Sequence, residues 1–119
     1  MKKKTFIKIL TQFEGTHKWP KAPKAVSHLR STHRHTFYVA MQIEVRHNDR
    51  ELEFYSVKDW VELMLSGHKR DGGKRSCEDI NDSFYKALSL KYGKDREYII
   101  ETSEDNQRSA ITYYEPEDK

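Results

Sequence analysis

The chain has a single cysteine, Cys77, which excludes an internal disulfide and leaves no second thiolate for a metal site. Any metal must therefore be held by nitrogen and oxygen ligands. Long apolar runs are also missing. No stretch approaches the ~20 residues that a membrane helix needs, and after Met1-Lys2-Lys3-Lys4 apolar and polar residues alternate instead of forming the block of a signal peptide. These absences predict a soluble, cytoplasmic protein with no membrane partner. A strong excess of one charge is lacking too, since the formal net charge is only +3. Lysines are frequent before residue 25 (Lys2, Lys3, Lys4, Lys8, Lys18, Lys21, Lys24), but they read as a solvated surface. A nucleic-acid partner would require a denser basic footprint with stacking aromatics, and none is expected. Internal repeats and low-complexity segments are not found.

What remains is a hydrophilic chain of 119 residues, 35% hydrophobic and 34% charged, which predicts one domain over 1–119 around one modest core. Residues 4–13 are rich in β-branched and aromatic side chains and predict a first strand. Residues 14–31, with Gly15, Pro20 and Pro23, read as a long loop. Phe37, Val39, Met41, Ile43 and Val45 then alternate with polar residues, the period of a half-buried strand. Leu52–Phe54 reads as a short extended piece, followed by Ser56 as a helix N-cap with Asp59 reaching back. Val57, Trp60, Val61, Met64 and Leu65 give a helix to about Gly67. Ser76-Cys77-Glu78-Asp79 repeats the capping signature. Ile80, Phe84, Ala87, Leu88 and Tyr92 stripe a second helix, which Gly93 stops. Residues 97–102 and 109–114, around Glu104-Asp105-Asn106-Gln107, read as a hairpin. The order β-β-α-α-β-β predicts an α+β fold, a four-stranded antiparallel sheet with two helices on one face. Its free edges predict a homo-oligomer.

The histidines cluster. His33 and His35 stand two apart on a predicted strand and so project from one face, with His17 just after the neighbouring strand. Three imidazoles in this pattern can ligate zinc, leaving a fourth position for water or substrate. Spacing alone also allows six surface histidines.

The context of these histidines resembles one family. Phe13-Glu14-Gly15-Thr16-His17 is similar to an F-x-A-A-H segment, and His33-Arg34-His35-Thr36-Phe37 to an H-G-H before a strand. Leu52–Lys58 resembles M-V-x-D-F-x-x-L-K, Ser76–Ile80 resembles P-T-x-E-N-L, and Glu101-Thr102 resembles a closing E-T. Taken in this order, the segments resemble the 6-pyruvoyl/6-carboxytetrahydropterin synthase family. The resemblance implies a tunnelling fold, in which protomers join their sheets into a barrel, trimer-based or hexameric, with active sites at subunit interfaces. It implies zinc on His17, His33 and His35, and a pterin or purine-like substrate held by Glu101 with Thr102 beside it. The implied activity is a zinc-dependent carbon–oxygen lyase acting on 7,8-dihydroneopterin triphosphate, on a biopterin or deazapurine (queuosine) route. Lys18, Lys24 or Arg30 would meet the triphosphate.

The match breaks where the chemistry is done. The position of the family's proton-transferring cysteine is Leu29, and His28 beside it is the nearby side chain with a suitable intrinsic pKa for a base. The family's Asp-His pair has only His68 and Asp71 as remnants. Arg34 replaces the glycine of H-G-H, a bulky cation expected beside the ligands, and Glu78 is either a pocket residue or a first-turn acid. Two further readings stay open: the same zinc-holding barrel recognising a pterin or purine-like ligand without lyase activity, and a structural oligomer.

Overall fold

The computed structural model describes residues 1–66 and 73–117. Its elements are β1 Thr5–His17, a 3-10 segment Lys24–Arg30, β2 His33–Val45, α1 Phe54–Ser66, α2 Cys77–Tyr92, β3 Tyr98–Glu104 and β4 Arg108–Tyr114. The four strands form one antiparallel sheet in the order β1-β2-β3-β4, so the fold is the expected α+β arrangement, with β1 and β4 at the edges.

Alternation along the strands decides which face is covered. Phe37, Val39, Met41 and Ile43 are at most 1% exposed. Their ladder partners Ile7, Ile9, Tyr98 and Ile100 are buried in the same cluster. Val57, Val61 and Leu65 of α1 and Ile80, Phe84 and Leu88 of α2 complete it from above. Each such side chain contributes roughly 1.5–3 kcal/mol when fully buried. Both helices thus cover one face. On the other face Leu10, Ile111 and Tyr113 remain exposed.

Three local expectations change. β1 runs to His17 instead of ending near residue 13, because pairing with β2 holds residues 14–17 extended in spite of Gly15. Ser56 lies inside α1 and does not cap it. The carboxylate of Glu53 accepts from the N–H groups of Tyr55 (2.6 Å) and Ser56 (3.0 Å), so the helix begins at Phe54, where a short extended piece was expected. β3 continues to Glu104, and the turn carries positive φ at Asp105 (54°) and Asn106 (59°), the backbone of a tight hairpin. The capping box of α2 is present, with Ser76 and Asp79 exchanging hydrogen bonds, and Gly93 at φ 110° ends that helix.

The far end of the sheet is tied by a buried ion pair. Arg96, 4% exposed, donates to both oxygens of Glu51 (2.8 and 3.3 Å) and to the Glu44 carbonyl. Burial pushes the Glu51 carboxyl up, but the Arg96 bonds and the Arg46 backbone N–H outweigh it and hold it below its ordinary value of 4.5. A depressed folded pKa stabilises the protein above the unfolded value, and that stability is lost as pH falls through the folded one. Glu51→Gln should therefore cost about 1–3 kcal/mol near neutrality, and the gap from wild type should close in acid below the carboxylate range. Urea denaturation at both pH values measures it; a gap independent of pH would contradict this account.

Candidate metal centre

The ladder between β1 and β2 ends on the rung His17–His33, and His35 stands two residues on, facing the same side. β3 joins with Glu104 opposite Phe37, again on that side. Register thus brings His17, His33, His35 and Glu104 together at the end of the helix-covered face. One ligand atom from each of the four lies within 4.8 Å of all the others.

Each imidazole is oriented through Nδ1. That atom of His17 donates to the Arg75 carbonyl (2.9 Å), that of His33 to the Ser31 carbonyl (2.9 Å), and that of His35 to Asp105 Oδ2 (2.8 Å). Carbonyl and carboxylate oxygens only accept, so each Nδ1 carries a proton and Nε2 is the ring atom left to bind a cation. All three Nε2 atoms are buried without a hydrogen-bond partner. Glu104 Oε2 lies 2.9 Å from His17 Nε2 and 3.7 Å from His35 Nε2. A lone pair and a carboxylate oxygen at that range repel unless a proton or a metal cation lies between them. The group can hold a metal ion, its donor set being imidazole nitrogens with one carboxylate, which suits a divalent transition metal. The Nδ1 partners are the outer hydrogen bonds that fix tautomer and ring angle in such sites. The bond from His35, joined by the Thr36 N–H (3.1 Å), holds the Asp105 carboxyl below its ordinary range.

His17, His33 and Glu104 also line a cleft of about 450 Å³, with Leu29, Cys77 and Trp19 among its walls. Burial, followed by the charges of Glu104 and Glu78, pushes the Cys77 thiol up to about 12, so it stays protonated. Leu29 lies in the cleft, whereas His28 is exposed and does not line it. His68 and Asp71 lie outside the described residues.

Other expected site residues are not brought together. Glu101 stands opposite Ala40 and Ile111, on the open face, and accepts from Ser109 Oγ (2.7 Å). One chain therefore does not gather Glu101 and the histidines on the same side of the sheet. Thr102 faces the helices but is completely buried, its hydroxyl donating to Asn81 (2.6 Å), with no surface to offer a ligand. Arg34 is not beside the ligands: strand alternation turns it to the open face, where it pairs with Glu14 (2.8 Å). Lys18 lines the cleft while Lys24 and Arg30 do not, and Arg30 instead donates to the Ala22 carbonyl. Glu78 stands in the first turn of α2 and also lines the cleft, so the two alternatives for it do not exclude each other. Glu104 and Asp105 were missed because both read as turn residues; counting alternate positions from Ile100 through Thr102 would have found Glu104. In comparisons with known proteins, no family model matches the chain and no curated protein matches it.

Proposed function

We propose that this protein is a zinc-dependent lyase of the 6-pyruvoyl/6-carboxytetrahydropterin synthase type, acting on 7,8-dihydroneopterin triphosphate, with zinc on His17, His33 and His35. The observation that carries the reading is the convergence of three buried Nε2 atoms, each ring fixed by a donated Nδ1–H, beside a substrate-sized cleft. When bound, zinc supplies Lewis-acid polarisation of a substrate oxygen. The chain's own residues do the rest. The carbonyls of Arg75 and Ser31 and the Asp105 carboxylate hold the rings at fixed angles. Glu104 Oε2, 2.9 Å from His17 Nε2, is able to complete the ligand set or to accept a proton from a substrate hydroxyl. Edge-to-edge association through β1 and β4 belongs to the same reading, and Glu101 would act in it only where copies meet.

A second reading has an observation in its favour. Leu29 lines the cleft at the position of the family's cysteine, and Cys77 is held protonated, so a zinc-containing pterin- or purine-binding protein without lyase activity fits as well. Zinc-loaded protein incubated with 7,8-dihydroneopterin triphosphate is expected to release tripolyphosphate. Tight binding of the compound without release would remove the lyase and leave the binding protein.

A further inference from the structure

The four groups that converge on the metal position are not held equally. The rings of His17, His33 and His35 are each fixed by a second bond, through Nδ1. The Glu104 carboxylate has no such anchor. Among the described residues it accepts no hydrogen bond, and its ionic partners are the imidazoles of His17 and His35 alone. A carboxylate that ligates a metal is ordinarily hydrogen-bonded in its turn. This side chain is 21% exposed and lines the cleft. Its distances are those of a ligand. Donor atoms 2.0–2.2 Å from a tetrahedral zinc stand about 3.3–3.6 Å apart, and Glu104 Oε2, at 2.9 Å and 3.7 Å from the Nε2 atoms of His17 and His35, brackets that range. No hydrogen bond joins Oε2 to His17 Nε2 in spite of the 2.9 Å, so the oxygen lies off the line of a ring N–H. It stands where it can share a cation with the ring.

A second place for the same carboxylate lies across the hairpin. Glu104 and Arg108 oppose each other on the last rung of β3 and β4, and the Gln107 N–H closes the turn on the Glu104 carbonyl (3.0 Å). Side chains opposed on a rung share a face, with Cβ atoms about 4.5–5.5 Å apart, and both of these line the cleft. Arg108 donates to the neutral amide of Gln107 (3.4 Å) and has no ion pair among the described residues. We propose that Glu104 is a latch with two positions: on the metal it fills the fourth place and closes the site, and turned to Arg108 it opens that place to a ligand arriving through the cleft. A carboxylate tethered on the same chain competes at the high effective concentration of an intramolecular group, so a weak ligand with one donor atom is kept out. The latch rests on the metal reading of the site and is independent of lyase chemistry.

Cobalt(II) in place of zinc reports a change of ligand in its absorption spectrum, and free imidazole at about pH 8 is an uncharged probe with one donor atom. In spectral titrations of the full cobalt-loaded chain, Glu104→Ala should bind imidazole about tenfold more tightly than wild type, because the tethered competitor is gone. Glu104→Gln, which keeps the shape and gives up the charge, should shift in the same direction. Arg108→Ala leaves the displaced carboxylate without a partner and should bind imidazole several-fold more weakly than wild type. That effect should vanish in the Glu104→Ala background, since Arg108 acts through Glu104 alone. Equal imidazole affinity in wild type and both Glu104 variants would overturn the latch, as would an Arg108→Ala effect that persists without Glu104. In either case cobalt held by the wild type through gel filtration leaves the metal reading standing. A wild type that holds neither cobalt nor zinc sinks the metal reading and the latch together.

Discussion

His33→Ala is expected to weaken zinc binding by more than the 10–100-fold that loss of an outer hydrogen-bond partner typically costs, while leaving the metal-free chain folded. His33 supplies one of the four ligand atoms that lie within 4.8 Å of each other, and no other described histidine stands ready to replace it. The core is built elsewhere: the residues that fill it lie along the middle of the strands and on the helices, and His33 is at the end of the ladder. Ligand binding to the folded state alone stabilises by RT ln(1 + [L]/Kd), about 2.7 kcal/mol at a hundredfold excess over Kd. Zinc should accordingly raise the wild-type Tm by several degrees and leave that of the variant unmoved. Metal analysis after gel filtration and a thermal scan with and without zinc measure both. A variant that keeps its metal would remove His33 from the ligand set.

Asn81→Ala should produce the largest loss of stability, about 3–5 kcal/mol from an unsatisfied hydroxyl, an unsatisfied carbonyl and a cavity together, or a Tm lower by roughly 10–20 °C. Asn81 has no exposed surface. Its amide nitrogen donates to the Ala110 carbonyl and to Thr112 Oγ1, both at 3.1 Å, and its oxygen accepts from Thr102 at 2.6 Å. One side chain thus satisfies polar groups on both β3 and β4 from α2, and its bond with Thr102 is fully buried. Urea denaturation gives the value directly. A cost under 1 kcal/mol would mean that the network is not closed as described.

How far the sequence could be read depended on whether a signal was local or belonged to pairing. The period of two from Phe37 to Val45 and the capping box at Ser76 are local, and both elements appear with those residues in those roles. β1 was read too short because Gly15 is a local breaker, while the bonds that keep residues 14–17 extended come from β2. Glu53, a poor cap by residue preference, caps α1 only because its carboxylate reaches two N–H groups of the next turn. The clustering of His17, His33 and His35 was legible from spacing and context. Glu104 was hidden by its place next to a turn, and the alternation that puts Ile100, Thr102 and Glu104 on one face puts Glu101 on the other. Thr102 sits in the segment where it was expected, yet its hydroxyl is spent internally on Asn81.

Ordinary hairpins are closed by a tight turn, but β1 and β2 are joined by the stretch 18–32, far too long to hold the strand ends in register by itself. The last rung of that ladder is His17–His33. A cation shared by those two rings would act as a clasp at the point where the ribbon would otherwise begin to fray. With Glu104 it would stitch the third strand into the same seam, so that catching the ion and closing the sheet's open end become a single event.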